Sequence, residues 1–197
     1  MAKTLIAFFS RRGENWVDGG VRFLPKGNNE VIVEKIKSQL PEADVFQIET
    51  VKKYSDDYMV CIEEAKQELR AKARPELTAK VENMDQYDTI ILGYPNWWGV
   101  PPMAVFTFLE SYDFSGKKIV PFCSHEGSGL GGSIRQIKMA VPGSSNPKHI
   151  QENIEVFDFE LSPEEMARMA SLNQEKRYFN MTYQQIKDWM ENYEIWD

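Results

Sequence analysis

The sequence is short of cysteine, of positive charge and of long apolar runs. Its 197 residues hold two cysteines, Cys61 and Cys123, far apart and without the paired spacing of a metal site. Two such residues cannot build a disulfide framework or a zinc site, so no metal is expected. This cysteine usage fits a reducing cytoplasm. Lysine and arginine number 23 against 30 aspartates and glutamates, a net charge of −7. That balance lacks the basic footprint of a nucleic-acid binder. An anionic ligand would need a local cradle, because the overall field repels it. The N-terminal MAKTLIAFFSRR has a short apolar run that ends in arginines. No h-region or cleavage site follows, and no run approaches membrane-spanning length, so no membrane partner is expected and the run reads as a first strand.

What is present suits one domain with a tail. The chain is 42% hydrophobic, enough for a real core. Residues 4–9 (TLIAFF), 88–94 (DTIILGY) and 117–123 (KKIVPFC) are apolar runs of the kind found in strands buried on both faces, and 44–49 (DVFQIE) reads as another strand. Between them the period turns helical. Ile32, Val33, Ile36 and Leu40 share a face behind a cap at Asn28 or Asn29, and Tyr58, Cys61, Ile62, Ala65 and Leu69 share one behind Ser55. Pro101 and Pro102 suit the first turn of a helix running to about Ser111, and another helix is expected over 133–140. Strands alternating with helices predict an α/β domain with a parallel sheet.

In such a sheet, ligands sit in the crevice at the carboxyl ends of the strands. Three strand ends here carry unusual residues. After the first come Ser10, Arg11, Arg12 and Gly13. After the third come Tyr94, Pro95, Asn96, Trp97, Trp98 and Gly99. After the fourth come Ser124, His125, Glu126, Gly127, Ser128 and Gly129. The first loop leads to a helix N-terminus, whose amides and partial charge suit a phosphate. The second offers aromatic faces. The third offers backbone amides to the edge of a flat heterocycle, with His125 either a surface residue or an edge donor and Glu126 near the ring. The tryptophans either cap the core or wall a planar ligand. Together these features describe a mononucleotide with a large ring, and flavin mononucleotide (FMN) fits best.

At these residues the sequence resembles the flavodoxin-like proteins, over about residues 3–140. The stretch 108–133, FLESYDFSGKKIVPFCSHEGSGLGGS, is especially similar. The resemblance implies a doubly wound, open, five-stranded parallel sheet in three α/β/α layers, with FMN as cofactor and electron or hydride transfer as chemistry. It also implies that Trp98, by its place before Gly99, lines the ring, while Trp97 packs outward or against the neighbouring helix. The phosphate loop of the family admits two alignments here. The unbroken one uses Ser10 through Asn15. The split one takes Ser10 and Arg11, then an insertion, then Gly27, Asn28 and Asn29 at the helix cap. The split alignment is preferred, because helical periodicity starts only after Asn29. In it Asn29 stands where a threonine is usual, and the insertion, with Trp16 and Phe23, is positioned to fold over the site.

Residues 144–179 resemble something else, the C-terminal segment of aldo-keto reductases. Gly143 and His149 stand where that family has its lysine and arginine for the cofactor phosphate, and the upstream barrel is missing. The expectation is therefore a flavodoxin-like domain over 1–143 and an extension over 144–197 that completes it, with 154–161 (IEVFDFEL) as fifth strand. Three functions stay open. One is an FMN-dependent oxidoreductase passing electrons from a nicotinamide donor to a quinone-like acceptor. Another is a one-electron carrier serving a redox partner protein. The third is a module without cofactor. The resemblance leaves room for a homodimer. No residue looks like a dedicated acid, base or nucleophile, as suits chemistry carried by a cofactor.

Overall fold

The computed structural model of the protein describes residues 3–141. Its centre is a four-stranded parallel sheet. In chain order the strands are β1 (Thr4–Phe8), β4 (Asp44–Gln47), β5 (Thr89–Pro95) and β6 (Lys118–Ser124), and in space they run β4-β1-β5-β6. The order reverses direction between β1 and β5, the switch point of a doubly wound sheet. The candidate fifth strand, 154–161, lies outside the described residues, as does the rest of the tail.

Both faces of the sheet are covered, as its unbroken apolar strands require. Leu5, Ala7 and Phe9 point to one side with Ile90, Leu92 and Tyr94, where α3 (Met103–Glu110) and α4 (Ser133–Ala140) add Ala104, Val105, Phe108, Leu109 and Ile137. Ile6 and Phe8 point to the other side, against Val33 and Ile36 of α1 (Asn28–Gln39). The remaining long helix is α2 (Tyr58–Ala71).

Between β1 and α1 the chain makes an antiparallel hairpin, β2 (Gly13–Val17) and β3 (Gly20–Leu24). Its turn is Asp18-Gly19, with φ of +52° and +75°. Positive φ at both central residues is what a two-residue hairpin with right-twisted strands needs. This is the insertion expected from the split alignment.

Three helix starts differ from expectation. α1 is capped by Gly27, with Glu30 reaching back to the Gly27 N–H, so Asn28 and Asn29 lie inside the helix. α2 is capped by Asp57, whose carboxylate accepts from Val60 N–H at 2.9 Å, while Ser55 Oγ accepts from Asp57 N–H. Pro101 and Pro102 precede α3 rather than forming its first turn. Only at α2 does a capping side chain decide the start, Asp57 reaching the first turn in place of Ser55.

Candidate functional site

The sheet register brings the three loops together. β5 and β6 stay paired to the rung of Pro95 and Ser124, and Asn96 N–H donates to the Ser124 carbonyl at 2.8 Å. On the other side Phe9 N–H donates to the Gly93 carbonyl at 2.8 Å. The loops after β1, β5 and β6 therefore leave the sheet from neighbouring rungs at one edge. Asn96 then ties the second loop to the third: its Nδ2 donates to Ser128 Oγ at 3.0 Å and to the Gly129 carbonyl at 2.8 Å. Gly132 N–H donates to the Gly99 carbonyl at 2.7 Å, and a Cβ on Gly131 would lie 2.5 Å from that oxygen.

The first loop closes across the hairpin. Ser10 Oγ accepts from Glu30 N–H at 3.3 Å, and a Cβ on Gly27 would lie 2.2 Å from that hydroxyl oxygen. Only glycine lets the two halves of the split loop approach so closely. The Asn29 side chain is buried, and its Nδ2 donates to the Phe9 carbonyl at 3.0 Å. What Asn29 leaves open at this end is its backbone N–H, beside that of Asn28, neither of which has a carbonyl partner within the helix. Arg11 does not point to this end. Its guanidinium donates to the carbonyls of Ser55, Asp56, Asp57 and Glu14, pinning the loop before α2. Arg12 is the arginine at the α1 entrance, held by Glu30 in a forked pair of 3.0 and 2.7 Å. The guanidinium and the Gly27 N–H together hold the Glu30 carboxyl below the usual carboxylate range.

The second loop answers why two tryptophans stand side by side. Trp97 and Val100 exchange backbone hydrogen bonds of 2.9 and 3.2 Å around Trp98 and Gly99, which have φ of +56° and +82°. This tight turn sends the two rings to different places. Trp97 packs inward, edge-on to Phe9 and Tyr54 with centroids 5.3 and 5.1 Å away. It also lines a hollow with Ala65 and Leu69 of α2. Trp98 lies half exposed on α2, its Nε1 donating to the Ile62 carbonyl at 3.1 Å and the Lys66 ammonium 5.3 Å from its ring. Left-handed backbone at a bulky residue costs about 1–2 kcal/mol. Strain of this kind collects where function demands it.

In the third loop Gly127 N–H donates to His125 Nδ1 at 3.1 Å. Glu126 Oε2 is buried without a hydrogen-bond partner, as is Asn96 Oδ1. Burial, and then the nearby Asp18 carboxylate, push the Glu126 carboxyl up. A buried polar atom left unpaired costs about 1–3 kcal/mol, and more if charged. Asp18 is the hairpin tip, so the insertion extends from the first loop toward the third. Glu14 anchors it by accepting from Tyr58 N–H at 3.1 Å, and the Trp16 ring lies 6.0 Å from that of Tyr58. Val21 and Phe23 are exposed.

Sequence reasoning missed Arg12, Glu30, Tyr54, Tyr58 and Asp18. The Glu30 signal was readable as a capping glutamate three residues after Gly27 and that of Asp18 as an Asp-Gly turn; Arg12 and Tyr58 depend on the path of the hairpin, and Tyr54 on its packing against Phe9 and Trp97. Burial pushes the Cys61 thiol up to about 11 and that of Cys123 to about 12, so neither is a reactive thiolate. Among the described residues no group of three metal-ligating side chains occurs. No described helix is long and apolar enough to cross a membrane.

A doubly wound α/β domain with three loops at the switch-point edge defines the class. Within it the sequence profile of the flavodoxin family matches residues 21–157, and the chain belongs to that family. Two solved structures share the fold. A candidate flavoprotein from Bacteroides eggerthii is 25% identical, with a TM-score of 0.60 over 81% of this chain and all of its own. A flavoprotein from Lactobacillus acidophilus, solved in complex with FMN, is 19% identical, with a TM-score of 0.57 over 73% of this chain and 88% of its own. Segments of the chain also match aldo-keto reductases. Family 1 member D1 of Oryctolagus cuniculus is 31% identical over 106 residues, 49% of this chain and 31% of that protein. Family 1 member A1 of Mus musculus is 50% identical over 45 residues, 23% of this chain and 14% of that protein. The chain spans less than a third of the length of these curated relatives.

Proposed function

We propose that the chain binds FMN in the strand-end crevice and works as an FMN-dependent oxidoreductase, taking electrons from a nicotinamide donor and passing them to a quinone-like acceptor. The observation that carries this reading is the convergence of the three loops at one edge, locked by Asn96 to Ser128 and Gly129. The residues present fit the cofactor. Ser10 and the backbone N–H groups of Asn28 and Asn29 would hold the phosphate, with Gly27 letting the two halves of the loop meet and Arg12, paired with Glu30, beside them. Pro95, Trp97 and Gly99 shape the second loop so that Trp98 walls the ring. Ser124, His125, Gly127, Ser128 and Gly129 would border its polar edge, where the unpaired Glu126 and Asn96 oxygens lie in neighbouring loops. The Lactobacillus flavoprotein, which shares the fold, was solved with FMN bound.

Bound FMN supplies reversible transfer of one or two electrons, and the protein supplies binding, orientation and electrostatics. The first loop orients the molecule through its phosphate. Trp98 and the hairpin limit access of water to the ring.

A second reading, a one-electron carrier for a protein partner, is favoured by the net charge of −7, which suits docking to a basic surface. Anaerobic titration of the purified yellow protein separates the two. Rapid bleaching by NADH or NADPH alone supports the oxidoreductase. A flavin reduced by dithionite but by neither nicotinamide supports the carrier. A cytoplasmic location and the pairing of two copies belong to the same proposal, the second tested by sedimentation.

A further inference from the structure

Binding of the cofactor leaves Trp16 and Tyr58 without a task. Glu14 and Trp16 stand two residues apart in β2 and so share one face of the hairpin. Glu14 accepts from the Tyr58 N–H at 3.1 Å, which turns that face toward the first turn of α2. There the Trp16 and Tyr58 rings lie 6.0 Å apart at an interplanar angle of 38°, within the range of aromatic contact, yet Trp16 stays 41% exposed. The Tyr58 hydroxyl has no hydrogen-bond partner among the described residues. Ile62 follows Tyr58 by one turn, and its carbonyl holds Trp98. Trp16 and Trp98 therefore rest on adjacent turns of α2. The Glu126 carboxylate of the third loop acts on Tyr58, and Asp18 at the hairpin tip acts on Glu126. Hairpin, α2 and third loop thus border one opening, with a half-exposed aromatic pair on one side and two carboxylates at the rim.

We propose that Trp16 and Tyr58 form the acceptor site: an uncharged aromatic carbonyl compound packs on this pair and accepts a hydrogen bond from the Tyr58 hydroxyl at its carbonyl oxygen. The inference rests on the FMN-dependent oxidoreductase reading and names residues that reading leaves open. The half-exposed rings offer a flat apolar contact, and the phenol offers one O–H donor. Burial, and then the Glu126 carboxylate, push the Tyr58 hydroxyl above the ordinary tyrosine range, so it keeps its proton at neutral pH. The carboxylates of Asp18 and Glu126 disfavour an anion in the same opening. A donor that has no partner in the protein is free for a ligand oxygen, and a ligand without that oxygen gains nothing from it.

The test is equilibrium dialysis of the oxidised, FMN-loaded protein against 2-methyl-1,4-naphthoquinone and against 2-methylnaphthalene, the same rings without carbonyls. No reductant is present, so affinity is read without turnover, and the flavin absorbance of each variant reports that FMN is still bound. Tyr58→Phe keeps the ring and its packing on Trp16 but removes the donor. Its affinity for the quinone should fall about fivefold while that for the hydrocarbon stays unchanged. Trp16→Ala removes the apolar contact and should weaken both ligands by about fivefold or more. A Tyr58→Phe variant that binds the quinone as tightly as the unaltered protein, or that loses both ligands equally, would overturn the assignment. So would undiminished binding of both ligands by Trp16→Ala, or an FMN-loaded unaltered protein that binds no quinone; each of these results leaves the FMN reading intact. Failure of the unaltered protein to retain FMN would overturn both.

Discussion

Trp98 carries the sharpest residue-scale argument. Its φ of +56° is a backbone state that glycine accepts and a bulky side chain resists. The ring is nevertheless held there, on α2, by its bond to Ile62. Trp98→Ala and Trp98→Gly should both weaken FMN, because each removes the aromatic wall. They should differ in stability, with the glycine variant more stable by about 1 kcal/mol, because glycine relieves the left-handed strain. Urea midpoints compare the two, and an alanine variant more stable than the glycine one would show that Trp98 is not strained.

A second residue-scale prediction concerns pH. The folded-state pKa of Glu30 is lowered, first by its bond to Arg12. Its ionised form therefore stabilises the fold above the ordinary carboxylate range, and that contribution is lost as pH falls through the lowered value. Glu30→Gln should melt at a lower temperature than the unaltered protein at neutral pH, and the gap should close well below about pH 4. A gap that persists at acid pH would mean the pair does not act through charge. The sequence placed Trp98 at a turn and expected Arg11 at the α1 entrance, where the structure has Arg12. It could not tell Arg11 from Arg12, because the hairpin path decides which guanidinium meets the carbonyls of residues 55–57.

The parallel strands were legible at the scale of elements because a strand buried on both faces must be apolar throughout, and β1 and β5 are. The hairpin was legible only as an insertion. Its turn residues, Asp18 and Gly19, carry the strongest short-range hairpin signal. Its apolar residues Trp16, Val21 and Phe23 alternate onto one face, but Glu14 interrupts that face and all three are exposed, so the pattern is too short and mixed to mark a half-buried pair. The split loop makes a prediction at this scale. Asn29→Ala removes a buried bond to Phe9 and should cost about 1–3 kcal/mol, together with FMN affinity, because the N–H groups of the α1 entrance lose their support. The Asn15 side chain donates only to the Gly13 carbonyl of its own strand and to the Arg11 carbonyl. Asn15→Ala should leave FMN binding near its starting value. Dissociation constants for the two variants check this, and greater damage from Asn15→Ala would restore the unbroken alignment.

For the whole molecule, β6 is one of the two outer strands of the described sheet, and the family match continues to residue 157. A chain ending at residue 144 should therefore expose a strand edge and an apolar face and should aggregate. A soluble, monomeric, flavin-loaded truncation, seen by light scattering, would refute a completing role for the extension. The most direct measurement of the central claim is reconstitution. The purified full-length chain is incubated with excess FMN, passed through a desalting column, and its visible spectrum recorded against protein concentration. The strand-end crevice predicts retention of FMN at one equivalent per chain, with displacement of the flavin band as the ring enters an aromatic, partly dry site. FMN that leaves entirely with the small molecules, at protein concentrations where the fold is intact, would contradict it.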